Sequence, residues 1–347
     1  MSRKILVQKG KNTNKFTIKL VLLIALTILL FFLSFMVGRY KISPQTVFDI
    51  ILSHFIDITP YWESRLETVV LQVRLPRILI ALLVGGSLSI SGASYQTLFK
   101  NPMVSPDILG VSAGAGFGAA LSMLNDGTWL EIQTSALFFG LLAVAITYII
   151  GNAYGKQGIT ILILSGIVVS SLFQALLSIV KTLADTDNQL PSITFWLMGG
   201  LSKSSNADLL VLLPALIVSL LILFIFRNKI DVLSAGEDEA ATMGVNVLAV
   251  KLAVIVSSTL MTVVSVSICG IIGWVGMVIP HIARFITGAN FAKLSSVSFF
   301  VGGLFLLIID NIIRGIEGVE LPLGVLTALV GTPVFAIMLF RVKKGWN

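Results

Sequence analysis

Ten apolar windows recur along this chain and leave room only for short connections between them. They fall at residues 20–37, 78–98, 108–124, 136–154, 159–183, 207–226, 248–270, 274–288, 294–314 and 322–341. A helix crossing a hydrocarbon core of roughly 30 Å needs about 20 residues, so most of these are long enough and the third and eighth are short. The runs are continuously apolar, with no alternation of period two, which favours helices over the strands of a barrel. Only 12% of the residues are charged, against about 25% in soluble globular chains, and the mean hydropathy is +0.98. The predicted fold class is therefore all-α: a polytopic membrane helical bundle of about ten transmembrane helices. A basic segment, 1–19, precedes the transmembrane domain, 20–341, and a short tail, 342–347, follows it.

Six cations, Arg3, Lys4, Lys9, Lys11, Lys15 and Lys19, precede the first apolar run, as they would in a secretory signal. That run, Leu20 to Val37, exceeds the usual 7 to 15 residues of a signal h-region, and no A-x-A-like site follows it. It reads as the first span. Lys and Arg accumulate on the cytoplasmic side of membrane proteins. With both termini inside and ten spans, sixteen of the 24 Lys and Arg fall inside and eight outside. Reading the two short windows as non-spanning weakens that bias, so ten spans with cytoplasmic termini is the expected topology.

Several chemistries are excluded by what the chain lacks. Its two histidines, His54 and His281, are too far apart in sequence for a helical metal motif, and its one cysteine, Cys269, has no partner for a disulfide. The segment Gly151 to Lys156 imitates a phosphate loop, but it has three residues between its glycines and Gln157 where Ser or Thr is required. No ATP site of that type and no cofactor site is expected, and no basic stripe interleaved with aromatics suggests nucleic acid. Ion-coupled transport would ordinarily leave charges at mid-membrane depth. None lies deep in a window; Asp310 and Arg314, four apart near the end of the ninth, are placed to pair.

The longest charged interior connection, 227–247, contains Gly236, Glu237, Asp238, Glu239, Ala240, Ala241, Thr242, Met243 and Gly244. Acids in a first turn complement the helix dipole, alanines suit the middle and glycine suits the end. A short helix is predicted there, with a small-residue face fit for a groove in a partner.

From about Val73 to Phe340 the sequence resembles the FecCD-type permease family of iron-siderophore, haem and cobalamin ABC importers. The resemblance rests on a long ordered series. It runs through Arg74-Leu75-Pro76-Arg77, Ser91-Gly92-Ala93-Ser94-Tyr95-Gln96, Asn101-Pro102 and Pro106-Asp107-Ile108-Leu109-Gly110-Val111. It continues with Trp196-Leu197-Met198-Gly199-Gly200, the 236–244 loop, Gly273-Trp274-Val275-Gly276, Pro280-His281-Ile282-Ala283-Arg284, Glu320-Leu321-Pro322-Leu323-Gly324 and Gly331-Thr332-Pro333. Ile271 and Trp274 depart from residues common in the family, proline and phenylalanine.

The resemblance implies a non-catalytic permease of the type II ABC importer class in a bacterial cell membrane. Two permeases, identical or sister chains, would dimerise around a central pathway. Cytoplasmic ATPase subunits, which use the ATP and Mg, would sit below, and an extracytoplasmic substrate-binding protein above. It further implies ATPase coupling through Gly236, Glu237, Asp238, Glu239, Ala240, Ala241, Met243 and Gly244, binding-protein docking through Arg74, Arg77 and Arg314, and an inner gate at Gln157, Gly158 and Thr160. An iron-siderophore is the expected cargo, with haem or cobalamin as alternatives. An ion-coupled secondary transporter is the reading from another class.

Overall fold

The computed structural model describes residues 2–54, 56–153, 159–316 and 321–342, and all the regular structure among them is helical. The helices are α1 (Ser2–Ser34), α2 (Pro44–Leu52), α3 (Ser64–Thr68), α4 (Leu75–Leu98), α5 (Val111–Leu124), α6 (Trp129–Ala153), α7 (Ile159–Leu183), α8 (Gln189–Leu197), α9 (Asn206–Ala235), α10 (Glu237–Thr242), α11 (Val247–Cys269), α12 (Val275–Thr287), α13 (Phe291–Gly315) and α14 (Leu323–Val342). Seven helical segments among the described residues are long and apolar enough to cross a membrane; α5, α12 and α14 supply three shorter apolar ones.

Boundaries depart from the sequence expectation in two places. The second window begins earlier than residue 78, because α3, a π-helical stretch Val69–Arg74 and α4 run on as one continuous 35-residue helix from Ser64 to Leu98. Pro76 stands in the first turn of α4. Proline has no N–H to give a preceding carbonyl, and the wider π turns lie directly before it. The segments 44–52 and 189–197, which carry no long apolar window, form the short helices α2 and α8. Ser43 caps α2, its hydroxyl accepting from the Thr46 N–H at 3.1 Å, with Pro44 at the first helical position.

The core is centred on α4, which packs against α13, α11, α12 and α9. Two glycines allow this closeness. A Cβ at Gly85 would overlap the Gly302 carbonyl of α13, and one at Gly92 would overlap the Gly276 carbonyl of α12. Small residues permit such backbone approach where lipid gives helices no hydrophobic reason to associate. Two hydroxyls of α4 reach across to α11: Ser91 donates to the Ser258 carbonyl at 2.8 Å, and the Tyr95 hydroxyl meets Thr259 Oγ1 at 3.0 Å.

The shortness of α5 has a local cause. Its 14 residues rise only about 21 Å, and the chain enters it through an irregular stretch, Phe99–Gly110, much of it buried. Non-helical backbone at membrane depth must find partners inside the protein. Here Gln96 donates to the Val104 carbonyl at 3.4 Å and to the Met277 carbonyl at 3.0 Å, while Thr147 donates to the Leu109 carbonyl at 3.0 Å. Gly110, at φ +87°, turns the chain into α5.

Candidate functional site

The connection between α9 and α11 folds as the sequence predicts. Glu237, Asp238 and Glu239 fill the first turn of α10, and its end is closed by two hydrogen bonds, Val245 N–H to the Ala240 carbonyl and Gly244 N–H to the Ala241 carbonyl, each 3.0 Å. That pairing is a Schellman cap, which needs the left-handed φ of +77° that Gly244 supplies. Glu237 is held by Lys251 of α11 at 2.6 Å, so α10 is tied to the bundle at its start as well as its end. Two neighbouring alanines take opposite roles. Ala240 is fully buried against α9 and α11, whereas Ala241 is exposed and Met243 is 70% exposed. The expected contact face of small residues is therefore corrected: Gly236 and Ala240 belong to the interior, and the exposed residues are Asp238, Glu239, Ala241, Thr242, Met243 and Gly244.

At the opposite end of the bundle the three arginines expected at a docking surface are engaged with their own chain. Arg74 is 5% exposed and donates to the carbonyls of Phe35 and Tyr40. Arg77 Nε donates to Asp310 Oδ1 at 2.8 Å. Arg314 Nε lies 2.9 Å from Asp310 Oδ2, an ion pair without hydrogen-bond alignment, and Arg314 Nη1 donates to the Ser34 and Val37 carbonyls at 3.0 and 3.1 Å. The anticipated Asp310–Arg314 pair is present. Arg77 is its unforeseen third member, and together with Arg74 the group fixes the end of α1 against α4 and α13. The cations open to solvent on this face are Arg39, Lys41, Arg65 and Lys203.

Of the expected inner gate, Gln157 and Gly158 lie outside the described residues, and Thr160 sits exposed at the start of α7. His281 packs edge-on against Phe285 and Phe335, and Arg284 reaches Thr97 Oγ1 at 3.3 Å, both structural roles. No cluster of three metal-ligating side chains occurs among the described residues. The buried carboxylates are near helix ends and partnered: Asp208, third in α9, accepts from Gln133 at 2.6 Å and caps its own helix with Ser205. A groove of about 670 Å³ between α8, α12 and α14 is lined by Leu197, Ile271, Trp274, Leu329 and Thr332 among others, with no charged side chain.

The FecCD transport family profile matches residues 26–341. The chain belongs to the FecCD transport family. It is 35% identical to the molybdate import system permease protein MolB of Haemophilus influenzae over 329 residues, covering 93% of this chain and 96% of that protein. It is 36% identical to a probable iron chelatin transport system permease of Helicobacter pylori (strain 26695), covering 81% of this chain and 85% of that one. Among solved structures, an inward-facing conformation described as a metal-chelate type ABC transporter superposes with a TM-score of 0.82 at 34% identity, over 93% of this chain and 98% of the other. This FecCD protein is thus a multi-pass membrane permease of an ABC importer, and it is the non-catalytic transport subunit.

Proposed function

We propose that this chain, paired with a second permease, lines the route of an iron-siderophore or related metal chelate across the cell membrane. Separate cytoplasmic ATPase subunits hydrolyse the ATP, an extracytoplasmic binding protein delivers the cargo, and both termini face the cytoplasm. The observation that carries this reading is α10. It is a capped, doubly tethered helix whose exposed Met243 and Ala241 present an apolar tip to the side that the Lys and Arg tally assigns to the cytoplasm. A rigid tip of this kind transmits a push. Closure of the ATPases displaces α10, and α9 and α11, which hold it, carry the displacement into the bundle.

The uncharged groove beside α14 suits transient passage, since conduction requires release as much as entry. The inner gate at Gln157, Gly158 and Thr160 belongs to the same proposal. On the outer face, Arg74, Arg77 and Arg314 shape the docking surface from beneath, and the exposed Arg39, Lys41 and Arg65 meet the acidic groups of the binding protein. Molybdate is a second reading, favoured by the extent of the match to the Haemophilus influenzae protein.

The test is uptake into proteoliposomes carrying the permease with its copurifying ATPase and binding protein. Labelled ferric siderophore should accumulate only with internal ATP and Mg. Accumulation of molybdate alone would make the cargo an oxyanion, and uptake by the permease alone under an ion gradient would remove the ATP-driven mechanism.

A further inference from the structure

A second groove, of about 640 Å³, opens on the outer surface of the bundle between α9 and α13. Its walls include Ile217, Leu221 and Phe224 on α9 and Phe299 and Phe300 on α13, and Arg227 stands at one end. Ile217, Leu221 and Phe224 are all more than half exposed, and a face of this kind within a bilayer is covered by hydrocarbon. From Ile217 to Arg227 the α-helical rise is about 15 Å, half of a hydrocarbon core of roughly 30 Å. The groove therefore has the depth of one leaflet, with its charge at the level of the headgroups.

Among the described residues, Arg227 has no acidic partner. Its guanidinium lies 3.8 Å from the Phe224 ring centre and donates to the Phe224 carbonyl at 3.2 Å, and no described carboxylate comes within ion-pair distance of it. Two further cations, Lys229 and Lys293, stand at the same level; they lie over Phe226 and Phe16. The carboxylate nearest in sequence, Asp231, is occupied: it accepts from Asn290 Nδ2 at 2.9 Å and from the Phe291 N–H at 2.7 Å. These donors are neutral and leave Asp231 its negative charge, so Arg227, Lys229 and Lys293 outnumber one carboxylate at this end of an apolar slot, the arrangement by which basic pockets between membrane helices take lipid headgroups.

We propose that this groove is a binding site for one anionic phospholipid of the leaflet on the α10 side. An acyl chain lies along α9 between Leu221 and Phe300, and the phosphate pairs with Arg227. The guanidinium fork matches phosphate oxygens bidentately, and its stacking on Phe224 fixes its direction. Because α9 leads directly into α10 through Gly236, the lipid supports the helix that carries the coupling turn.

The experiment is native mass spectrometry of the delipidated full-length permease titrated with phosphatidylglycerol or with phosphatidylcholine of the same chains. The wild type should retain one phosphatidylglycerol with a preference on the order of fivefold, the share of one interfacial cation, and that preference should shrink at high salt. Arg227→Gln should remove the preference while both lipids still bind, and Leu221→Trp should exclude both. Ser296→Trp, which fills the slot from the α13 side, repeats the exclusion should Leu221→Trp not fold. Undiminished preference in Arg227→Gln, or full lipid retention with the slot filled, would overturn the proposal. Conversion of a dimer to monomer by either tryptophan would overturn it in favour of a second copy of this chain. None of these readouts depends on transport, so they stand apart from the identity of the cargo.

Discussion

Arg77 Nε donates to Asp310 Oδ1 at 2.8 Å, joining α4 to α13 across 233 residues of sequence. Asp310 is fully buried and holds Arg314 on its other oxygen, while Arg314 and Arg74 grip the carbonyls that end α1. One carboxylate therefore contacts two guanidinium groups at the junction of three helices. The fork geometry of arginine lets Arg314 meet backbone carbonyls and the carboxylate together.

Removing that carboxylate takes the buried counter-ion from Arg314 and a hydrogen bond from Arg77. Asp310→Ala is expected to destabilise the permease by about 3–5 kcal/mol, the cost of breaking a buried pair from one side. Thermal unfolding in detergent checks this. The combination Asp310→Leu, Arg77→Met and Arg314→Met should recover much of the loss, because the two cations that Asp310 contacted are then removed with it.

Arg74 offers a sharper separation of roles. Since it donates to Phe35 and Tyr40 from a buried position, Arg74→Glu is expected to lower folding yield and thermal stability at every salt concentration. Arg65→Glu, at an exposed cation, should leave stability unchanged and weaken binding-protein association in a salt-dependent way. Affinity measured at low and high ionic strength on folded samples distinguishes the two.

The tip of α10 should separate coupling from folding. Met243→Asp is expected to leave a stable permease in the membrane while abolishing ATP-dependent uptake, because its side chain touches solvent and not the bundle. Ala240→Trp should instead fail to fold, since Ala240 is buried between α9 and α11. Retained uptake in Met243→Asp would remove this face from the ATPase contact.

The tether Lys251–Glu237 is partly exposed, 27% and 38%, so Lys251→Gln should cost only about 0.2–1 kcal/mol of stability. Its expected effect is mechanical: with the Glu237 tether lost and α10 held by its cap and the buried Ala240, stimulated ATP hydrolysis should persist while uptake per ATP falls. Parallel measurement of hydrolysis and transport in proteoliposomes reads this directly.

Gly92 tests the packing of α4. A Cβ there overlaps the Gly276 carbonyl, so Gly92→Val is expected to cost at least the roughly 1–3 kcal/mol typical of overpacked interiors, visible as loss of a monodisperse folded species.

The apolar spans and the short acidic turn at 237–244 were legible in the sequence, because both are written in neighbouring residues. Apolar content over a window sets whether a helix enters hydrocarbon, and the run from the Glu237 acids to Gly244 carries its own start and stop signals. Which alanine of the pair 240–241 faces inward was not legible there, since that depends on how α10 is rotated against α9 and α11. Packing likewise sets that Gln96 bonds the Val104 carbonyl before α5 and the Met277 carbonyl of α12, and that Arg74, Arg77 and Arg314 close on carbonyls and a carboxylate of their own chain. Many of those partners lie tens to hundreds of residues apart, and they meet because small residues let α4 and α13 approach until the charges at their ends are enclosed together. Periodicity within one helix has no access to that distance.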